Sequence, residues 1–371
     1  MKNVIVTGGA GYIGTHTCIE LLNNGYQPII FDNFCNSSKR NIDTLNEHFG
    51  NVPYYDVDCR YEWKVDNALN RAINKFGKIS GVLHFAAYKS VGKSVKNPLD
   101  YYDNNVGSMQ TMLRCMKKFG IENLVFSSSC TVYGQPDKLP VSEDTPLKPA
   151  EAPYGRSKQI CEDMINDCVK AHQLRAVTLR YFNPIGAHPS GLIGELPLGD
   201  PENAVPYITQ VASGLRQEFV VFGNDYDTRD GTCIRGYVHV VDIAEAHVKA
   251  MNLLLNKNLV SNVFESIREE GSEVDDAWLT SLKQTENESS NQVFNLGTGD
   301  GFSVLEIINA FEKESGVKLN YRIGPRRSGD VSAIYANVTK AKRWLGWTAK
   351  LNVNDAVRDA WRWQQTLNSE K

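Results

Sequence analysis

Tyr154 and Lys158 stand four positions apart in "APYGRSKQICEDMI" (152–165), just inside the opening of a helical pattern. On a helix that spacing puts both side chains on one face. Such a pair is either surface decoration or a proton-transfer device. A free tyrosine has a pKa near 10, and a neighbouring positive charge favours its phenolate.

Other chemistry-bearing residues fall at the ends of apolar runs. "TGGAGYIG" sets Gly8, Gly11 and Gly14 between an apolar run and a helical pattern. Glycine is needed there for a tight turn, for close approach to a pyrophosphate and for helix–strand contact. The helix N-terminus adds N–H groups and partial positive charge. A second run ends at Asp32, where a carboxylate accepts from ribose hydroxyls and repels a 2′-phosphate, favouring NAD over NADP. Asp58 closes a third run, placed to meet adenine. "HFAAYKS" closes a fourth, with small Ala86 and Ala87 beside the pyrophosphate and Lys89 near the nicotinamide ribose.

The elements that must position these residues alternate. "NVIVTG", "QPIIFDN", "VPYYDVD", "ISGVLHFAA", "ENLVFSSS" and "RAVTLRYFNP" read as strands. "YIGTHTCIELLNNG", a long pattern from Pro98 to Gly120, and the segment from 152 read as helices between them. This alternation predicts an α/β fold, a Rossmann-type doubly wound parallel sheet. After Pro184 the chain becomes dense in Gly, Pro and Asn, the texture of ligand-wrapping loops, and its tail looks helical in two pieces. We expect a dinucleotide-binding domain over 1–183, with segments near 235–256 and 293–298 returning to it. A smaller mixed α/β substrate-binding region over 184–371 follows. Residues 257–292 read as an acidic surface insertion carrying Glu269, Glu270, Asp275 and Asp276 among its charges.

Bulk properties narrow the partners. The 371 residues are 42% hydrophobic and 22% charged, with a formal net charge of −3. No strongly basic surface exists to displace counterions from nucleic acid. No apolar stretch is long enough to span a membrane, and the opening apolar run is too short for a signal peptide. The eight cysteines are scattered, without CxxC pairs or metal spacing, so reduced thiols in the cytoplasm and no metal are expected.

"TGGAGYIG", "SSSCTVYG" and "YGRSK" in that order resemble the extended short-chain dehydrogenase/reductase family. "YYDNNV", "LRYFNPIGAHPSG", "FGNDYDTRDGT" and "RRSGD" are similar, more narrowly, to its UDP-hexose 4-epimerases. The resemblance implies interconversion of UDP-galactose and UDP-glucose in galactose metabolism. Tyr154 would take the sugar's O4 proton, assisted by Ser129 and Lys158, while the C4 hydride passes to NAD and returns after the ketosugar turns over. It implies NAD contacts from Gly8, Gly11, Tyr12, Ile13, Gly14, Asp32, Asn33, Asn36, Ser37, Asp58, Cys59, Phe85, Ala86, Ala87, Lys89, Asn104, Ser127, Tyr154, Lys158 and Tyr181. On the UDP-sugar it implies Ser129, Tyr154, Phe182, Asn183, Asn203, Phe222, Arg235, Arg327, Asp330 and Ile334. It also implies a homodimer formed through the helices near 98–118 and 154–171.

Two positions depart from the family pattern. Gly236 replaces a common aspartate, leaving Arg235 without that local partner, and Ile334 stands where residue size admits or excludes an N-acetyl group. UDP-galactose and UDP-glucose are the expected substrates. A 4,6-dehydratase would need an Asp-Glu pair beside the strand-end hydroxyl, where this chain has Ser129, Cys130 and Thr131. An inactive NAD-sensing relative would lack Tyr154, Lys158 or Ser129, and all are present.

Overall fold

Short apolar runs separated by amphipathic segments can bury both faces only by stacking as βαβ units. The computed structural model describes residues 1–171, 174–201, 203–256, 291–327 and 330–369. The chain runs β1 (Lys2–Thr7), α1 (Tyr12–Asn23), β2 (Tyr26–Asp32), α2 (Lys39–His48), β3 (Tyr54–Asp56), α3 (Glu62–Phe76) and β4 (Ile79–His84). Short α4 (Val91–Lys96) and α5 (Pro98–Tyr101) lead to α6 (Gly107–Phe119), β5 (Asn123–Ser129), α7 (Pro153–Lys170) and β6 (Arg175–Tyr181). Then come β7 (Asn183–Ile185), α8 (Ala204–Ala212), β8 (Phe219–Phe222), β9 (Ile234–Arg235), β10 (Tyr237–His239), α9 (Val240–Leu255) and β11 (Asn291–Leu296). The last stretch holds β12 (Phe302–Ser303), α10 (Val304–Ser315), β13 (Tyr321–Gly324), β14 (Ala333–Ile334), α11 (Thr339–Leu345) and α12 (Val353–Ser369).

Seven strands form one parallel sheet in the order β11-β6-β5-β4-β1-β2-β3. The winding reverses between β1 and β4, which opens a crevice at their carboxyl ends. One apolar layer, with Val4, Val6, Ile30 and Leu83, meets Ala246 and Met251 of α9. The opposite layer, with Ile5, Ile29, Val82 and Leu124, meets Met112 of α6 and Ile165 of α7. A third cluster joins α8, α10 and α12 away from the sheet.

Local chemistry marks the element ends. Ser38 accepts the Arg40 N–H to cap α2, and Ser303 with Glu306 forms a capping box on α10. α6 ends at Gly120 in the left-handed conformation, and α7 begins with Pro153 at its first turn.

The long helix expected from Pro98 is broken in one place. Between α5 and α6 the chain widens into a π-type turn over Tyr102–Val106, a feature that concentrates at functional sites. It presents Asn105, whose amide oxygen accepts the Tyr88 N–H at 2.8 Å and whose nitrogen donates to Ser157 Oγ at 2.9 Å. β11 begins at Asn291, so Asn291 and Gln292 belong to the sheet rather than to the expected insertion. The rest of that acidic stretch, 257–290, lies outside the described residues.

Candidate active site

The crevice at the strand ends is a cavity of about 640 Å³. Every cofactor position named from the sequence, from Gly8 through Tyr181, lines its wall. Ser129, Phe182, Asn183 and Asn203 line it too. The dinucleotide cradle is built from backbone. Gly8 has φ +67°, and a Cβ there would stand 2.8 Å from the Ala86 nitrogen. A Cβ on Gly14 would stand 2.4 Å from the Gly8 carbonyl oxygen. Only glycine lets β1, the turn and α1 approach this closely, and no side chain caps the first turn of α1. Its N–H groups therefore remain available to an anion.

Asp32 ends β2 with its carboxylate turned into the cradle. Oδ2 accepts the Ala10 N–H at 3.0 Å, while Oδ1 accepts Phe34 N–H at 2.9 Å and Ser37 Oγ at 2.8 Å. Burial raises its pKa, opposed by these donors. A carboxylate offers about four acceptor positions, so room for a ribose hydroxyl remains. Asp58 is clasped by Arg60, whose Nη2 donates to Oδ2 at 2.7 Å, and this bond holds its carboxyl below the usual range.

At the other end of the cavity β5 delivers Ser129 and α7 delivers Tyr154 and Lys158. Ser129 Oγ accepts Thr131 N–H at 3.2 Å and Thr131 Oγ1 at 3.0 Å, and it lines the cavity together with Tyr154. Lys158 is buried; its Nζ donates to the Ser127 carbonyl at 2.6 Å and lies 4.8 Å from the centre of the Phe126 ring. The sequence led us to expect the ammonium to depress the phenol's pKa. Instead, burial pushes the Tyr154 hydroxyl up to about 12, and the group opposing that rise is Ser129. Lys158 is itself lowered to about 8 by burial. Its charge is directed at the peptide behind Ser127.

The substrate side divides. Phe222, Arg235, Arg327, Asp330 and Ile334 lie off the wall that carries Ser129, Tyr154 and Lys158, and four of them hold one another. The Arg327 guanidinium sits 5.6 Å from the Phe222 ring centre and donates to Asp330 Oδ1 at 2.8 Å. Arg235 reaches the same oxygen at 3.4 Å and donates to the Val331 carbonyl at 2.7 Å. Arg235 therefore has its local partner in Asp330 despite Gly236. An aspartate at 236 would crowd its neighbours, because a Cβ there would stand 3.2 Å from both the Phe182 ring and the Tyr335 Cα. Ile334 pairs with Arg235 in register and packs into a buried apolar cluster with Cys130 and Phe182. Ile334 is thus buried beside Phe182, which itself lines the cavity.

Lys89, expected beside the nicotinamide ribose, donates to Glu195 Oε1 at 2.6 Å. Glu195 was not singled out from the sequence; "GLIGELPLG" offers no spacing signal for it. Glu162, one turn beyond Lys158, was missed as well. It accepts Ser128 Oγ at 2.5 Å and pairs with buried Arg180 at 2.6 Å, tying α7 to β5 and β6.

Glycine cradle, strand-end serine and helix-borne Tyr–Lys pair on a doubly wound sheet define an extended short-chain dehydrogenase/reductase. A family model described as GDP-mannose 4,6 dehydratase matches residues 5–360. UDP-glucose 4-epimerase of Bacillus subtilis (strain 168) is 43% identical over 365 residues, covering 98% of this chain and 97% of the relative. The structure of UDP-glucose-4-epimerase from Stenotrophomonas maltophila, with bound NAD and formylated UDP-arabinopyranose, superposes with TM-score 0.86 at 42% identity over 100% of both chains. That from Bifidobacterium longum, in complex with NAD+ and UDP, gives TM-score 0.86 at 41% identity, also over 100% of both chains. The chain belongs to this family as one of its UDP-glucose 4-epimerases, NAD-dependent isomerases. No carboxylate stands at Ser129, Cys130 or Thr131 to serve a dehydratase's elimination step.

Proposed function

We propose that the chain interconverts UDP-galactose and UDP-glucose, with Tyr154, Ser129 and Lys158 as its catalytic residues. The observation that carries this reading is that one cavity holds both the glycine cradle and the Ser129–Tyr154–Lys158 cluster. Gly8, Gly11 and Gly14 fit a pyrophosphate, Asp32 a ribose, and Lys89 and Lys158 the far end of the dinucleotide. When bound, NAD supplies the acceptor and donor of the C4 hydride and a positive charge that favours the phenolate.

Tyr154 takes the proton from the sugar's O4 and later returns it. Ser129, its acceptor positions occupied by Thr131, is left to donate its own hydrogen, toward Tyr154 Oη or the substrate oxygen. Lys158 holds a positive charge within the same buried pocket below pH about 8. Burial raises the Tyr154 pKa to about 12, so the positive charges brought beside it are what must favour its phenolate. Phe182, Asn183 and Asn203 face the sugar, while Arg235, Arg327, Asp330 and Phe222 grip the uridyl diphosphate. A firm grip there leaves the ketosugar free to turn its other face toward the cofactor.

We assign 1–183, with α9 and β11, to the cofactor region and most of the remaining chain to the UDP-sugar region. A homodimer through α6 and α7 is favoured by the half-buried Leu113, Phe119, Met164 and Cys168 on those helices. A cytoplasmic setting suits the eight unpaired cysteines; no helix among the described residues is long and apolar enough to cross a membrane. The experiment is direct: purified protein incubated with UDP-galactose yields UDP-glucose. No product from protein that retains NAD would favour an inactive, cofactor-sensing relative.

A further inference from the structure

Between β7 and α8, Glu195, Leu196, Pro197 and Leu198 line the cavity, and the backbone around Glu195 is held from several directions. Tyr12 Oη, at the start of α1, donates to the Gly186 carbonyl at 2.6 Å. Trp363 Nε1, on α12, donates to the Glu195 carbonyl at 3.0 Å. Gly194 lies flat on that indole, where a Cβ would stand 2.4 Å from Trp363 Cδ1. Trp363 in turn carries the Arg40 guanidinium of α2 at 4.8 Å from its ring. The Glu195 carboxylate is therefore presented from a fixed backbone, and its side chain is 11% exposed.

One oxygen of that carboxylate serves both sides of the site. Glu195 Oε1 accepts from Lys89 Nζ at 2.6 Å and from Asn203 Nδ2 at 2.9 Å. Lys89 follows β4 on the cofactor side; Asn203 precedes α8 on the UDP-sugar side. Asn203 occupies the N-cap of α8 yet gives the helix no side-chain hydrogen bond. Asparagine is among the preferred capping residues, so here its side chain has been diverted to Glu195. Lys89 would otherwise be a long, flexible cation, with half of its side chain exposed.

We propose that Glu195 is a positioning residue that joins Lys89 and Asn203 into one hydrogen-bonded unit, setting the cofactor-side cation and the sugar-side amide together. The proposal rests on the functional reading above for the ligands these two residues meet. Charge-assisted hydrogen bonds donated to a mostly buried carboxylate are strong enough to hold such a unit. Without Glu195, Asn203 can turn back to cap α8 and Lys89 can leave the mouth.

The test is a double-mutant cycle on the NAD-loaded enzyme, reading UDP affinity by calorimetry together with KM and kcat for UDP-galactose. Glu195→Ala should weaken UDP binding and raise KM by about tenfold, with kcat changed less than about threefold. Glu195→Gln, which keeps an acceptor for both donors but no charge, should recover part of the loss. Asn203→Ala should cost much less in the Glu195→Ala background than in the parent, since its amide would already be unplaced. If Glu195→Ala does not fold, the cycle is run with Glu195→Met, which fills the volume but offers neither donor an oxygen, and the same non-additivity is required. Unchanged UDP affinity in the Glu195 variant, or penalties that simply add, would overturn the proposal. Failure of the parent enzyme to convert UDP-galactose would instead strike the functional reading, while the UDP-binding cycle would still report on Glu195.

Discussion

The cofactor wall of this cavity and the region proposed to hold the UDP-sugar are made differently. On the cofactor wall the decisive atoms belong to backbone: the Gly8 turn, the open first turn of α1, and the strand ends that place Asp32, Ala86 and Ser129. Off that wall, the side chains proposed to hold the UDP-sugar come from short strands and loops. Arg235, Arg327 and Asp330 there bond to one another before any ligand is considered. The first wall is preformed by packing, whereas the second region is an ion network whose members already hold one another, so a UDP-sugar bound there, as proposed, would enter by exchanging partners.

The strongest way to break this division is at the catalytic side chain itself. Tyr154→Phe should leave NAD retention and UDP affinity near those of the parent and lower kcat by about a thousandfold, in the range of general-base losses. A near-normal rate would remove Tyr154 from the base role. Next in size, Gly14→Ala drives a methyl group against the Gly8 carbonyl and should reduce NAD affinity by about a hundredfold, the cost of opening a close-packed backbone contact. The measurement is NAD retained after gel filtration; full retention would show that the cradle yields more easily than its packing implies.

Arg235→Lys probes the other wall. It keeps the charge but loses the guanidinium fork, so KM for UDP-galactose should rise about tenfold while NAD retention is unchanged. Loss of NAD in that variant would erase the distinction between the two walls. The smallest expected effect is a pH dependence. Burial lowers Lys158 to about 8, so its ammonium is present below that pH and is lost as pH rises through it. Accordingly kcat/KM should fall severalfold between pH about 7 and about 9. A flat profile over that range would detach the Lys158 charge from turnover.

The same contrast explains what was legible in the sequence. Strand-end and glycine-loop positions follow from local pattern and sheet topology, so Gly8, Asp32, Ala86 and Ser129 fall on one wall as their spacing requires. Tyr154 and Lys158 share a helix, and their co-location follows from helical geometry. Their electrostatics do not: Lys158 turns to the Ser127 carbonyl, a contact made across β5 that no spacing on α7 encodes. Asp330 as the partner of Arg235 depends on two segments 95 residues apart meeting through β9 and β14. Gly236 was visible as a departure, but its reason, the close approach of Phe182 and Tyr335, is tertiary. Glu195 carried no motif because its role is to join residues from two separate loops. The π-type turn at Tyr102–Val106 was hidden inside an otherwise regular helical pattern.

The central claim is that one preformed cavity removes the C4 hydrogen of a UDP-hexose and gives the same hydrogen back after the sugar has turned, with Tyr154 handling only the hydroxyl proton. Conversion of UDP-galactose in deuterated water, followed by mass spectrometry and proton NMR of the product, tests it most directly. The account predicts UDP-glucose with no deuterium at C4. Deuterium incorporated at that carbon would mean that the hydrogen exchanges with solvent, and would contradict it.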